Sequence, residues 1–111
     1  MVARRTPRRG EVFLVEFDPT RGHEIRKTRP AMVISPDDLN RASSLVLVAP
    51  LTSAGEPLRY RVDCRFNGQA GRVLLDQIRA VDRSRLVRSL GRLTPAVEGK
   101  VLQVLQEMFA P

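Results

Sequence analysis

The sequence predicts a single, mainly β domain: a small twisted barrel packed against one C-terminal amphipathic helix. Three observations predict it. At 111 residues, 42% of them hydrophobic, the chain can bury one modest core and is too short for a separate cofactor domain. Short β-branched and aromatic runs recur between residues 11 and 90, punctuated by Gly, Pro, Asn and Asp, as strands and turns require. Only after Thr94 does the apolar period lengthen to that of a helix.

The elements follow in order. Residues 1–9 carry Arg4, Arg5, Arg8 and Arg9 with no hydrophobic stretch behind them. They predict a basic, disordered arm ahead of a single domain over 10–111, and not a secretory signal. Glu11 to Phe17 (EVFLVEF) reads as a strand bounded by Gly10 and by Asp18-Pro19-Thr20. Residues 18–30 form a long polar loop, a length usually reserved for function. Ala31 to Ser35 is a second buried strand, Pro36 to Asn40 a helical turn, and Leu45 to Leu51 a third strand. From Leu58 to Phe66 the chain alternates. Leu58, Tyr60, Val62, Cys64 and Phe66 share one face, while Arg59, Arg61, Asp63 and Arg65 make the other face mostly basic. Asn67-Gly68 signals a turn, Val73 to Ile78 a strand, and Leu86 to Leu90 a last short one. Thr94-Pro95 supplies an N-cap and a proline at the first helical position. Val97, Val101, Val104, Leu105 and Met108 then mark one face of a helix.

Net charge is +7, carried by 17 Arg against 2 Lys. Charge of this size attracts polyanions, and guanidinium grips phosphate bidentately where ammonium is a point charge. No apolar run approaches the ~18 residues of a bilayer span, so the expectation is a cytoplasmic protein with no membrane partner. The phosphate loop of P-loop proteins and the dinucleotide fingerprint are absent. One histidine, His23, and one cysteine, Cys64, cannot build a conventional zinc site or an intramolecular disulfide. Neither a metal nor a small-molecule cofactor is expected.

The remaining inventory is Arg, Thr, one His and a basic surface. RNA cleavage fits it, because RNA carries its own nucleophile. The 2′-OH can attack the adjacent phosphorus, and an enzyme has to align it, stabilise the extra negative charge and move two protons. The segment GHEIRKTRPAMVISP, residues 22–36, concentrates such groups directly before a buried strand.

Several motifs stand in a specific order. They are Gly10-Glu11-Val12, Asp18-Pro19-Thr20-x-Gly22, Glu24-Ile-Arg-Lys-Thr28-Arg29-Pro30 and Val33-Ile34-Ser35-Pro36. Asn40-Arg41, Val48-Ala49-Pro50-Leu51-Thr52-Ser53, Leu74-Leu75-Asp76-Gln77-Ile78-Arg79-x-Val81-Asp82, Arg85-Leu86 and Leu90-Gly91 follow. In order and spacing, over about residues 9–109, this set resembles the MazF/PemK toxin family.

The resemblance implies an SH3-like barrel, a homodimer and a sequence-specific endoribonuclease acting on single-stranded RNA. Cleavage would leave a 2′,3′-cyclic phosphate and a 5′-hydroxyl. A cognate acidic antitoxin would lay an extended tail across the RNA site. The Arg of the R-P pair and the Thr after the P-[IL] pair carry catalysis in the MazF branch, which places Arg29 and Thr52. The PemK/Kid branch also implicates a His before the Glu, and an Arg and an Asp near the D-Q pair. His23 and Asp76 match, whereas Leu74 stands where the Arg would be.

His23 and Glu24 are therefore candidates for proton transfer, His23 by its ordinary pKa. Arg26, Lys27, Thr28, Ser53, Asp76, Gln77 and Arg79 are candidates for contacting RNA, since Gln reads base edges and Arg grips phosphate. Cys64 reads as a core residue. Two further readings compete. A gyrase-poisoning toxin of CcdB type depends on a C-terminal Trp-Gly-Ile, whereas this chain has no Trp and ends Phe109-Ala110-Pro111. A non-catalytic SH3-like nucleic-acid-binding module would need only the basic strand face.

Overall fold

The computed structural model describes residues 5–18 and 27–111, with Asp18 and Lys27 described in backbone only. Seven strands and two helices follow one another as β1 (Glu11–Asp18), β2 (Lys27–Val33), α1 (Asp37–Ala42), β3 (Leu45–Thr52), β4 (Arg61–Phe66), β5 (Gln69–Leu74), β6 (Arg79–Asp82), β7 (Leu86–Arg92) and α2 (Pro95–Met108). The sheet is antiparallel, in the order β4-β5-β3-β2-β1-β7, with β6 added to β3.

No ladder of hydrogen bonds joins β4 to β7, so the sheet curls without closing. Its ends nevertheless meet: a Cβ built on Gly91 of β7 would lie 3.7 Å from the Phe66 ring of β4.

Alternation along the strands gives the curled sheet two apolar faces. Val12, Met32, Ala49, Leu51, Val62, Val73 and Leu75 form one cluster, closed by Leu93, Val101 and Val104. Phe13, Val15, Phe17, Ala31, Val33, Val46, Val48, Val81 and Leu86 form the other. The expected helix cap is present. Thr94 Oγ1 accepts from Val97 N at 3.3 Å, Pro95 follows, and Val101 and Val104 are buried.

Four elements differ from the sequence expectation. The second strand begins at Lys27 rather than Ala31, with Arg29 opposite Val15 and Pro30 opposite Leu14. Pro30 is tolerated because the β2–β3 ladder starts only at Ala31↔Pro50, so no β3 carbonyl waits for its missing N–H. The strand expected over 73–78 is shifted to Gln69–Leu74. Leu75–Gln77 instead form a 3-10 turn, in which Leu75 N donates to Tyr60 O at 3.1 Å. Between that turn and β7 lies the unforeseen β6, paired with Leu45–Val48. The fourth strand begins at Arg61, leaving Leu58 exposed ahead of it.

Of the basic arm expected over residues 1–9, residues 5–9 pack against α1 and the start of β1. Arg9 N donates to Asp37 Oδ1 and Arg9 Nε to Ile34 O, both at 2.8 Å. The Pro7 carbonyl accepts from the buried Asn40 Nδ2 at 3.0 Å. Arg5 reaches the buried Glu11 carboxylate.

Candidate functional site

A proline on β2 opens the cleft. The β2–β3 register runs Val33↔Val48, Met32↔Ala49, Ala31↔Pro50 and stops there. Pro30 lacks the N–H that the next position of the ladder would use. Pro50 faces the other side of β3, since Ile34 N donates to Leu47 O and alternate residues of β3 face β2. Carried two positions further, the register sets Arg29 across from Thr52, with the two strands unpaired between them. The other side of β3 is held by β5, through Leu51↔Val73 and Thr52↔Arg72.

The resulting cleft holds about 320 Å³ and is lined by Arg29, Pro30, Leu51, Thr52, Ser53, Cys64, Phe66, Gln69, Ala70 and Gly71. Gly71 sets its width. A Cβ there would lie 2.8 Å from the Thr52 carbonyl oxygen, so only glycine lets β5 approach β3 this closely.

The Thr52 hydroxyl is oriented by its own turn, Oγ1 accepting from Ala54 N at 3.1 Å. That bond occupies an oxygen lone pair and leaves the hydroxyl proton free to be donated. Arg29 is exposed and no carboxylate among the described residues pairs with it. Among the described residues the arrangement therefore presents a cation without a carboxylate partner and an oriented hydroxyl across a gap between strands. That combination suits an oxyanion with negative charge on more than one oxygen, such as a phosphodiester.

The other candidates fall elsewhere. His23, Glu24 and Arg26 lie outside the described residues, and of Lys27 only the backbone is described, paired with Asp18. Thr28 is exposed on β2 opposite Glu16. Ser53 lines the cleft.

Asp76 does not line it. Its oxygens accept from Arg61 Nε and Nη2, both at 3.1 Å, and these bonds hold its carboxyl below the usual range. Gln77 is exposed in the 3-10 turn, and the Arg79 guanidinium lies 5.3 Å from the centroid of the Phe17 ring. Leu74 is buried in the core. Arg72 does not take its place, because Nη1 donates to Gly55 O and Nε lies 3.1 Å from Asp63 Oδ1.

The β4–β5 hairpin, which sequence reasoning leaves out of the candidate site, lines the cleft. Cys64, read as core, is half-buried at the cleft floor, where burial pushes its thiol pKa up and Asp63 adds to the effect. Phe66 and Gln69 flank the Asn67-Gly68 turn, and that turn was the available signal. It fixes a register that places the two flanking side chains side by side.

A family model described as PemK-like, MazF-like toxin of type II toxin–antitoxin system matches residues 8–109. Endoribonuclease PemK of Escherichia coli is 37% identical over 100 residues, covering 85% of this chain and 75% of that protein. Endoribonuclease toxin ChpB of Escherichia coli strain K12 is 35% identical over 113 residues, covering 96% and 97% respectively. Among solved structures, a chain of the MazE-MazF complex (Form-II) from Deinococcus radiodurans aligns with a TM-score of 0.80 at 31% identity. The alignment covers 94% of this chain and 96% of that one.

Proposed function

The chain belongs to the family of PemK-like, MazF-like toxins of type II toxin–antitoxin systems, and from that membership we propose that it is a toxin endoribonuclease acting on single-stranded RNA. The relatives named endoribonuclease support the activity. The observation that carries the site is the register that sets Arg29 opposite Thr52 across the unpaired ends of β2 and β3.

The reaction uses the RNA's own 2′-OH. Its oxygen bonds to the adjacent phosphorus and its proton passes to a base, while the P–O5′ bond breaks and O5′ takes up a proton. The products are a 2′,3′-cyclic phosphate and a 5′-hydroxyl. Arg29 holds the phosphate and the charge that builds on its non-bridging oxygens, and Thr52 donates its free proton to one of them. His23 and Glu24, from the segment joining β1 and β2, are the groups proposed to move the protons. Discrimination against DNA follows from the missing 2′-OH.

A cognate antitoxin is the partner, supported by the MazE-MazF complex among the similar structures. Its acidic tail would meet the basic surface of a chain with net charge +7. A homodimer acting in the cytoplasm completes the proposal. Among the described residues no helix is long and apolar enough to cross a membrane.

The test is incubation of the purified protein with single-stranded RNA in EDTA, with end-group analysis of the fragments. Cleavage leaving cyclic phosphate is expected, with the all-DNA strand left intact. Cleavage that leaves a 3′-hydroxyl, or that also cuts DNA, would rule out attack by the 2′-OH.

A further inference from the structure

We infer that the β4–β5 hairpin is the base-reading wall of this cleft, with Phe66 as the stacking face and Gln69 as the group that reads the edge of one base beside the scissile phosphate. This rests on the ribonuclease reading of the same cleft.

The hairpin register makes the wall. Val62↔Val73, Cys64↔Gly71 and Phe66↔Gln69 are cross-strand pairs, and alternation puts all three on the inner face. Along that face the pairs pass from core to cleft. Val62 and Val73 are buried, Cys64 and Gly71 line the floor, and Phe66 and Gln69 stand at the mouth. Asn67 and Gly68 close the hairpin with φ of 52° and 78°, the two positive angles of a type I′ turn. The turn leaves the Phe66–Gln69 pair no freedom to slip register.

Phe66 is backed on both counts that matter for a platform. It packs against the core cluster, and Gly91 of β7 lies against the ring edge. Phe66 is only partly buried and lines the cleft. Single-stranded RNA offers unstacked bases, and aromatic side chains take them up by stacking without regard to sequence.

Gln69 supplies what stacking lacks. It is exposed and lines the cleft, and its side-chain amide makes no hydrogen bond to the described residues. Its amide presents an NH₂ donor and a carbonyl acceptor side by side, the pattern that pairs bidentately with a base edge.

The wall is also tied to the candidate catalytic hydroxyl. Gly71 lets β5 seat directly on the Thr52 carbonyl, where a Cβ would come within 2.8 Å. A base held by Phe66 and Gln69 therefore sits at a fixed offset from a phosphate held by Arg29 and Thr52. At about 320 Å³ the cleft is at the small end of ligand pockets, ~300–1,000 Å³, which suits one nucleotide and not a duplex.

The test is cut-site mapping on a random-sequence single-stranded RNA pool, comparing the wild-type protein with Gln69→Ala, Gln69→Glu and Phe66→Leu. The readout is the ratio of kcat/KM for the preferred base to that for the other bases, at each position around the cut. Gln69→Ala should flatten that ratio at one position by about tenfold and leave the other positions as they were. Gln69→Glu replaces the NH₂ donor by an acceptor and should change which base is preferred at that same position. Phe66→Leu should lower kcat/KM on all sequences without changing the ratio.

Gln69 is exposed, so its variants test the wall without disturbing the core. An unchanged cut-site profile in Gln69→Ala would overturn the inference while leaving the ribonuclease reading intact. A loss of rate spread evenly over all positions would do the same, because it would make Gln69 a backbone contact. Absence of RNA cleavage by the wild-type protein would overturn both.

Discussion

On β1, the Glu11 carboxylate is buried and both its oxygens are fully used. Oε1 accepts from Arg5 Nη1 at 3.1 Å and from the Arg8 amide at 3.2 Å, while Oε2 accepts from Ser89 Oγ at 2.7 Å and from Arg5 Nη2. On the neighbouring strand β2, Arg29 is exposed, with no carboxylate partner among the described residues. Each charge belongs to the same sheet, and each stands near a hydroxyl, Ser89 in one case and Thr52 in the other. The difference lies in compensation. Glu11 closes a network that pins residues 5–8 to β1 and β7, so its charge is consumed by the fold. Arg29 stands in a gap between strands, so its charge is left for a ligand. The fold is thereby stabilised at one end of β1 and left unsatisfied beside β2, where the proposed chemistry needs a free cation.

The largest expected effect tests the second half of that contrast. Arg29→Ala should reduce RNA cleavage by at least 10²–10³-fold, the ~3–4 kcal/mol typical of a lost preorganised charge stabiliser. Its melting temperature should stay close to wild type, since exposed substitutions away from networks change stability by about 0.5 kcal/mol or less. Arg29→Lys should recover only part of the loss, because a point charge replaces a bidentate fork. Thr52→Ala should cost about tenfold, in line with one hydrogen bond of ~0.5–1.5 kcal/mol, and Thr52→Ser should retain most activity. Single-turnover cleavage and thermal unfolding of the same preparations check both. Should Arg29→Ala melt early and still cleave, the two regions would have exchanged roles.

Glu11→Gln is the reciprocal experiment. Hydrogen bonds to a charged group contribute ~1.5–3 kcal/mol, so the variant should lose roughly 2 kcal/mol of stability. Cleavage per folded molecule should hold.

The pH dependence carries a sign. Burial pushes the Glu11 carboxyl up, but the bonds from Arg5, Ser89 and Arg8, with the Arg5 charge, outweigh it and the net shift is down. A carboxyl lowered on folding contributes stability that is fully present above its unfolded value, about 4.3. That stability is lost as pH falls through the lower folded value. Urea unfolding between pH 3 and pH 7, on the order of the carboxylate range, should therefore show a shallower acid limb in Glu11→Gln. Identical acid limbs would mean that the network does not hold the ionised form.

Apolar, β-branched runs made the strands of the two apolar clusters legible, and helical periodicity did the same for the C-terminal helix. Glu11 to Phe17, Leu45 to Leu51 and the Val97–Met108 stripe all matched their templates because burial dictates the pattern. Gln69–Leu74 was hidden because it opens Gln-Ala-Gly-Arg, with little β propensity of its own. Register imposed by the Asn67-Gly68 turn and pairing with β4 and β3 override that. The apolar run Val73–Ile78 misled for the opposite reason, since Leu75 is buried from a 3-10 turn as effectively as from a strand. Arg79–Asp82 is polar and becomes a strand only because β3 offers an unpaired side.

At the candidate site, the ordered motifs and the resemblance they carry single out Arg29 and Thr52, which both line the cleft. They do not single out Phe66 and Gln69. Their proximity to Thr52 exists only once Gly71 has brought β5 against β3, and no local pattern encodes that approach.

Asp76 provides the smallest and most diagnostic comparison. The motif order placed it among RNA contacts, while the geometry gives both its oxygens to Arg61. Arg61 is partly covered but Asp76 is at the surface, where solvent screens the pair, so Asp76→Asn should change the melting temperature little. It should, however, remove the larger of the two acidic influences on Arg61, leaving Glu56, and so make Arg61 a less compensated cation outside the cleft lining. Such a charge attracts phosphate without stabilising a transition state. Affinity for a non-cleavable single strand should therefore rise modestly at low salt, and the gain should disappear as added salt shortens the screening length. The single-turnover rate at saturating RNA should not move. A tenfold fall in that rate would instead place Asp76 in the chemistry of the cleft and remove Arg61–Asp76 from the set of purely structural pairs that Glu11 exemplifies.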